Sequence, residues 1–330
     1  MPAELALFAV SLAVSIGASF LLSRELDRIG VRLGITEGLL GILTALGADA
    51  PEISTAAVAV LSHNTSIGVG VVLGSNVFNL AGLLGLSALI AGGVRMGRHA
   101  ALLEGSAATT VALIAVALAI GWVNAWAAFT LCVVVLTPYA LLASIRPAQL
   151  PHLPTPQLQA FMRHAVTEGH RAARLDHLPP AGGIWSVLLI PPAAVTVILG
   201  SVGMVHAATR VGRHWSVSDA VMGTLVLAIL TSIPNVVAAL RLASHHRGPA
   251  VVAEAYNSNS ANVLAGLCLP AAIIGLHGSH NLGVLTALWA LYMTVLSVVL
   301  LARAPGLTRK DGAALVFMYV LFVVVILARY

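Results

Sequence analysis

Two carboxylates, Asp49 and Glu52, lie three residues apart in the apolar segment TALGADAPEISTA, which spans residues 44–56. An ionisable side chain inside a membrane is expensive, so both should face the protein interior or a water-filled cavity. A spacing of three also places them on one face of a helix. Pro51 has no N–H to donate to the carbonyl of Gly47, and a carbonyl freed in this way needs another partner. The segment therefore predicts a buried site that binds a cation.

A second segment repeats this arrangement. The run AILTSIPN, residues 228–235, contains Pro234, which frees the carbonyl of Leu230 in the same way. Each proline is followed by a Ser-Asn motif, GSNVFN at 74–79 and NSNSAN at 257–262. In both halves the proline precedes the motif's serine by 24 residues, and an asparagine follows that serine by four. The identical spacing indicates an internal repeat.

The oxygen atoms of these segments limit the chemistry of the site. Carboxylates, amides, hydroxyls and carbonyls are hard ligands, and neither segment contains a histidine or cysteine. Ca²⁺ takes 6–8 such oxygens, whereas Mg²⁺ takes fewer and keeps its waters. Two carboxylates supply enough charge for one divalent ion, two monovalent ions or two protons. Charge alone leaves these alternatives open.

The composition is that of a polytopic membrane protein. Of the 330 residues, 59% are hydrophobic and 9% are charged, and the mean hydropathy is +0.97. Soluble domains have about a quarter charged residues. Apolar runs near the length that a bilayer requires predict an all-α membrane protein with ten transmembrane helices. The predicted spans are 4–22, 34–62, 66–93, 100–121, 124–145, 184–207, 217–243, 249–276, 282–302 and 311–328.

The basic residues predict the topology. Of the 17 Lys and Arg residues, 14 fall in loops that follow odd-numbered spans, including the long polar segment 146–182. The positive-inside rule then places this loop in the cytoplasm and both termini outside, in the plasma (cytoplasmic) membrane. Five spans on either side make two halves of opposite orientation. The predicted organisation is an inverted pair of five-helix repeats, residues 1–145 and 183–330, joined by a cytoplasmic loop.

The motif pairs closely resemble those of the cation/Ca²⁺ exchanger superfamily, which includes the Na⁺/Ca²⁺ exchangers. Its repeats read G-T-S-x-P-E followed by G-S-N-x-x-[ND]. Here GADAPE and GSNVFN match the first repeat, and LTSIPN with NSNSAN match the second more loosely. Two departures stand out: Asn235 replaces the second repeat's glutamate, and Ala48-Asp49 replaces the first repeat's Thr-Ser pair. The charge of the site is therefore expected to be concentrated on the first repeat.

The resemblance implies four ion subsites between broken spans 2, 3, 7 and 8 near the membrane midplane, with spans 1 and 6 sliding across them. Carried over by position, it assigns the ion-binding role to side chains of both repeats. The expected ligands are Asp49, Glu52, Ser75, Asn79, Thr231, Ser232, Asn235, Ser258 and Asn262, with the carboxylates and the three asparagines as the main metal ligands. The carbonyls of Gly47 and Leu230 are expected to contribute as well.

The resulting prediction is a secondary-active antiporter that exchanges Na⁺ or H⁺ for a divalent cation, with Ca²⁺ favoured. A Na⁺/H⁺ or Mg²⁺ exchanger of the same fold and a transport-inactive relative are the alternatives. An enzyme is not expected, because the sequence has no H-E-x-x-H, G-x-S-x-G or phosphate-binding loop. The expected partners are inorganic cations and membrane lipid. No cofactor or nucleic acid is expected, and the predicted functional unit is a monomer.

Overall fold

The computed structural model describes residues 1–33, 46–145, 150, 154–173, 181–275, 278–279, 281–303 and 306–329. The start of the predicted second span, residues 34–45, lies outside the described residues. It includes Thr44 and Ala45 of the segment TALGADAPEISTA. Parts of the predicted 146–182 loop lie outside the described residues as well.

The described residues are almost entirely helical. The α-helices are, in chain order, α1 (Pro2–Arg32), α2 (Ala50–Leu61), α3 (Thr65–Asn79), α4 (Ser87–Ala91), α5 (Arg98–Ala119), α6 (Ala125–Ser144), α7 (Pro156–Ala173), α8 (Ile184–His214), α9 (Asp219–Val221), α10 (Ala228–Ser244), α11 (Gly248–Ala261), α12 (Leu269–Ile274), α13 (Asn281–Leu301) and α14 (Arg309–Arg329). Three π-helical segments join some of them: π1 (Leu80–Leu86), π2 (Met222–Leu227) and π3 (Asn262–Cys268). Two short strands, β1 (Gly93–Val94) and β2 (Leu307–Thr308), pair antiparallel.

Eight of the described helices are long and apolar enough to cross a membrane. They are Pro2–Arg32, Thr65–Ala91, Arg98–Ala119, Ala125–Leu142, Ile184–His214, Asp219–Ser244, Asn281–Leu301 and Arg309–Arg329. The all-α membrane fold is thus confirmed. The other two predicted spans correspond to α2 with residues 46–48 and to the helical run 248–274, whose motif is polar. The count of ten spans stays a prediction.

The predicted helix breaks take a milder form than expected. The chain stays helical through π1, π2 and π3, which are wider turns of the kind often found at functional sites. Within the described parts of these four spans, the helix is interrupted by a bend at Asp49 alone, between residues 46–48 and α2. Pro51 lies in the first turn of α2, where its missing N–H would be unpaired in any case. Broken helices at spans 3, 7 and 8 are therefore not confirmed, and each of these spans contains a π-helical segment instead.

Glycines allow the helices of the two halves to approach closely around the motifs. A Cβ on Gly74 of α3 would collide with the carbonyl oxygen of Thr224 in π2, and one on Gly70 would lie 2.8 Å from the Thr224 nitrogen. Conversely, a Cβ on Gly223 would collide with the carbonyl oxygen of Ile67. Small residues at crossings are typical of membrane helices, because association there depends on close packing. The first Ser-Asn motif is thereby held against the second half of the chain.

The first helices of the two halves pack along each other. A Cβ on Gly200 of α8 would lie 2.9 Å from the Ser11 carbonyl of α1, and the Ser15 hydroxyl donates to the Val197 carbonyl at 3.5 Å. At one end of the pair, Arg210 contacts Glu4 at 2.6 Å. This α1–α8 pair lies beside the motif helices, because Ser54 of α2 and Ser201 of α8 share a hydrogen bond of 2.6 Å.

The predicted central loop contains a helix of its own. α7 lies against α5, where the Glu168 carboxylate accepts a hydrogen bond of 3.0 Å from the backbone N–H of Ala100. A carboxylate in this position complements the positive end of the helix dipole. The loop segment is therefore docked on the helical bundle.

We expect Gly74→Ala to destabilise the protein, because the new methyl group must separate α3 from the backbone of π2. Overpacking of a core typically costs about 1–3 kcal/mol. The thermal unfolding midpoint of the detergent-purified protein should fall clearly below that of the wild type. Gly17→Ala is the matched control, since a Cβ there has no neighbour within 4 Å. Equal midpoints for the two variants would contradict the packing account.

Candidate ion-binding site

Asp49 and Glu52 are both buried at the start of α2. Asp49 occupies the N-cap position and is 0% exposed, while Glu52 lies in the first turn and is 1% exposed. The N-terminus of a helix carries a partial positive charge of about half a unit, which stabilises nearby carboxylates. The bend before α2 thus places two acids where a helix end favours negative charge.

The second half of the chain supplies hydrogen-bond donors to these carboxylates. The Asn235 amide nitrogen donates to Asp49 Oδ1 at 2.6 Å and to Glu52 Oε1 at 3.3 Å. The Ser258 hydroxyl donates to Asp49 Oδ1 at 2.8 Å, and the Asn262 amide donates to Glu52 Oε2 at 2.5 Å. The structure therefore brings these five predicted ligands into one cluster, although the contacting pair Glu52 and Asn262 is 210 positions apart in the sequence.

The two carboxylates are close neighbours, because one amide nitrogen contacts both. Two like charges about 4 Å apart repel by roughly 4 kcal/mol at the effective dielectric constant of a protein, about 20. Their recorded hydrogen-bond partners are neutral amides and a hydroxyl. Neutral donors reduce this repulsion but leave the net charge in place. A bound cation or a proton would remove it.

Several oxygens of the cluster have no partner. Among the residues that the structure describes, the buried side-chain acceptors without a hydrogen bond include Asp49 Oδ2, Asn79 Oδ1, Asn235 Oδ1 and Asn262 Oδ1. Buried polar atoms are almost always paired, and an unpaired one costs about 1–3 kcal/mol. Two of these oxygens belong to amides that contact the carboxylates. Together they form a set of vacant acceptors suited to a hard cation.

The three remaining predicted hydroxyls donate to the backbone where π2 meets α10. Thr231 donates to the Leu227 carbonyl at 2.8 Å, and Ser232 donates to the Ala228 carbonyl at 2.7 Å. Ser75 of α3 reaches the same Ala228 carbonyl at 3.4 Å. Each hydroxyl oxygen keeps lone pairs for another contact. All three side chains are 0% exposed.

The two predicted carbonyl ligands are in different settings. Gly47 lies against α1, since a Cβ there would be 2.7 Å from the Cα of Ser23. Leu230 lies within α10, and Pro234 four residues later has no N–H for its carbonyl. Ion binding by either carbonyl stays a prediction.

Sequence reasoning missed Asn76 and Asn259, the middle residues of the two Ser-Asn motifs. Their side chains exchange hydrogen bonds with each other's backbone: Asn76 donates to the Asn259 carbonyl at 3.1 Å, and Asn259 donates to the Asn76 carbonyl at 3.0 Å. The reciprocity matches the repeat in the sequence. The signal was present, because Ser-Asn is the one dipeptide that both motifs share at equivalent positions.

A cavity of about 670 Å³ opens near the site. Its lining includes Thr65, Gly70, Thr224, Ser279 and Asn281. Thr224 lies one helical turn before Ala228, whose carbonyl accepts from the site hydroxyls. The cavity therefore ends about one turn away from the clustered ligands.

A family model described as "Sodium/calcium exchanger protein" matches residues 3–146 and 185–328, one segment in each half. An uncharacterized membrane protein of Methanocaldococcus jannaschii is 21% identical over 304 residues, which cover 89% of this chain and 88% of that protein. Sodium/potassium/calcium exchanger 3 of Rattus norvegicus is 32% identical over 151 residues, covering 42% of this chain and 24% of that protein. The chain thus spans about a quarter of the length of this last relative.

Solved structures of a sodium-calcium exchanger, NCX_Mj, share the fold. The form soaked with 2.5 mM Na⁺ and 1 mM Sr²⁺ has a TM-score of 0.63 and 19% identity, with 97% of each chain covered. The form soaked without Na⁺ and Ca²⁺ has a TM-score of 0.61 at the same identity, with 98% of each chain covered. The similarity extends over nearly the whole length of both chains.

We expect Asn235→Asp to destabilise the protein when no divalent cation is present. The substitution replaces a donor that contacts both carboxylates by a third negative charge, and each close pair of like charges costs about 4 kcal/mol at a dielectric constant of 20. The unfolding midpoint at pH 8 should fall in a chelator and recover in millimolar Ca²⁺. Asn124→Asp is the control, because Asn124 caps α6 by accepting from Ala127 N–H and aspartate caps equally well. A midpoint in chelator equal to that of the control would contradict the charge account.

Proposed function

Because the chain belongs to the sodium/calcium exchanger protein family, we propose that it exchanges Na⁺ or H⁺ for a divalent cation, with Ca²⁺ as the favoured substrate. The observation that carries this proposal is the cluster of unpaired buried oxygens around Asp49 and Glu52. We place the protein in the plasma membrane as a monomer, with its central loop in the cytoplasm and both termini outside.

The ligand set favours a calcium-like ion over softer metals. Carboxylate, amide and hydroxyl oxygens are the ligands of Ca²⁺, Mg²⁺ and Na⁺, whereas thiolates and imidazoles favour the transition metals. Asp49 and Glu52 supply two negative charges, which balance one divalent ion. The amide oxygens of Asn79, Asn235 and Asn262 and the nearby hydroxyls bring the number of oxygens into the range that Ca²⁺ uses.

The charge of the site explains why transport would be coupled. With both carboxylates ionised and no cation bound, the site is strained by repulsion and desolvation, so the empty carrier is disfavoured. A divalent ion relieves the strain, and so do two Na⁺ ions or two protons. The protein would then change its access state only when one of these loads is bound, which is the requirement for exchange.

A second candidate is a Na⁺/H⁺ or Mg²⁺ exchanger on the same fold. The position of Asn235 favours it, because an amide nitrogen contacts both carboxylates where the family pattern has a glutamate. One carboxylate fewer on the second half lowers the charge available for several cations at once. Two protons, or one small divalent ion, would suffice to neutralise what remains.

The decisive experiment is radiolabelled Ca²⁺ uptake into proteoliposomes with an outward Na⁺ gradient, repeated with an outward H⁺ gradient. Uptake driven by Na⁺ supports the first candidate. Uptake driven only by H⁺ makes Asp49 and Glu52 the proton carriers. If neither gradient drives uptake, Ca²⁺ is not the substrate and Mg²⁺ is tested next. No cation flux of any kind would indicate a transport-inactive relative and overturn the proposal.

We expect Glu52→Gln to abolish exchange while leaving the protein folded, because the amide is nearly isosteric and removes one of the two charges. Flux in proteoliposomes should fall to the level of protein-free vesicles. Glu4→Gln is the matched control, since Glu4 forms a surface ion pair with Arg210, of a kind worth about 0–1 kcal/mol, and should retain wild-type flux. Wild-type flux from Glu52→Gln would refute the site.

A further inference from the structure

Asn76 and Asn259 form a crossed hydrogen-bond pair between α3 and α11. In addition to the two reciprocal bonds to backbone carbonyls, each side-chain oxygen accepts from an asparagine of the opposite half. Asn259 Oδ1 accepts from the Asn79 amide at 3.1 Å, and Asn76 Oδ1 accepts from the Asn262 amide at 3.5 Å. Each of the two central asparagines thus contacts the ligand asparagine that lies in the other repeat.

These contacts decide which end of each ligand amide points into the site. The terminal torsion of an asparagine side chain is broad and roughly two-fold, so an unrestrained amide can present either its oxygen or its nitrogen. In Asn79 and Asn262 the nitrogen is engaged, and the oxygen is buried without a partner. A cation requires the oxygen, and the N–H₂ end would repel it. Fixing the amide is therefore a condition for binding.

We infer that Asn76 and Asn259 are positioning residues that orient the amides of Asn262 and Asn79, respectively, so that their carbonyl oxygens face the transported cation. The inference rests on the proposed function and adds two residues to the site. Neither of these residues touches the ion itself. Each acts through an asparagine that does.

Asparagine is suited to this task by its atoms. Its amide nitrogen donates to a backbone carbonyl of the partner helix, while its oxygen accepts from the ligand amide, so both ends are used at once. Serine is too short for both contacts, and aspartate lacks the donor. Asparagine is also an unfavourable residue in a helix interior, and both side chains are buried at 5% and 7% exposure. Tertiary contacts therefore account for its presence at these positions.

The two contacts of the pair are unequal, which gives the inference a direction. Both ligand amides also have a hydrogen bond with Glu52, which Asn262 donates at 2.5 Å. Asn259 accepts from Asn79 at 3.1 Å, whereas Asn76 accepts from Asn262 at 3.5 Å, which is long for a hydrogen bond. Loss of Asn259 should therefore weaken cation binding more than loss of Asn76.

Four double-mutant cycles test the inference, because a cycle isolates the coupling between two residues. The readouts are the Ca²⁺ concentration that gives half of the cation-induced rise in the unfolding midpoint, and the half-saturating Ca²⁺ concentration of flux. Asn259→Ala should raise both by about tenfold or more, the usual effect of losing a residue that orients a metal ligand. Asn76→Ala should raise them by a smaller factor.

The crossed pattern is the specific outcome. Asn259→Ala should have no further effect in an Asn79→Ala background but its full effect in an Asn262→Ala background, and the reverse should hold for Asn76→Ala. Additive effects in all four double mutants would mean that the pair only stabilises the fold, which overturns the inference. Ser260→Ala is the control, because Ser260 is buried on the same helix but donates to the Tyr256 carbonyl. It should leave both readouts unchanged.

Three further provisions keep the test decisive. If Asn259→Ala does not give a folded protein, Asn259→Ser replaces it in the same cycle, since its hydroxyl is too short to reach the Asn79 amide. If the wild type binds Ca²⁺ in the thermal assay but shows no flux, the proposed function fails while the cycles still test the positioning role. If Ca²⁺ binds nowhere, the cycles are run with Mg²⁺ and Na⁺. Failure of all three ions to stabilise the wild type overturns both proposals.

Discussion

The structure depends on burying two neighbouring carboxylates whose recorded partners are neutral side chains. Asp49 and Glu52 lie at a helix start inside an apolar bundle and receive hydrogen bonds from Asn235, Ser258 and Asn262. Neutral donors make the arrangement tolerable without cancelling its charge. A pair of acids paired with arginines would be stable and inert, whereas this pair still needs a cation. The same repulsion that makes the pair costly to bury would favour the binding of a cation.

Bringing the donors to the carboxylates requires the two halves of the chain to approach closely. Glycines in α3 lie directly against the backbone of π2, and a glycine in π2 lies against the backbone of α3. The first Ser-Asn motif therefore packs closely against the second half of the chain. The reciprocal bonds between Asn76 and Asn259 then join α3 to α11. In a membrane, where apolar surface gives helices little reason to associate, such close packing and interhelical hydrogen bonds are the main adhesive forces. The ion ligands are therefore positioned by the contact between the repeats.

The site is asymmetric although its framework is repeated. Among the predicted ligands, both carboxylates belong to the first half, and the second half contributes only amides and hydroxyls; Glu254 of α11 is the nearby acidic residue of the second half. Asn235 lies where the repeat of Glu52 is expected, and its nitrogen contacts both acids. The substitution converts a potential third repulsive charge into a shared donor. The predicted ligand set therefore departs from the family pattern at a position that contacts both carboxylates.

The sequence alone determined the all-helical membrane class, the repeated proline and Ser-Asn motifs, the family and the set of candidate ligands. Composition and spacing carry that information, because apolar run length and helical periodicity are local properties. Tertiary structure decided what local patterns cannot encode. Spans 3, 7 and 8 contain π turns where helix breaks were expected, and the central loop contains a helix. The structure also adds Asn76 and Asn259 to the candidate site. It also showed that the nitrogen of Asn235 faces the carboxylates. These features depend on which atoms of distant segments meet, and the orientation of a buried amide is set only when its partners across the interface are in place.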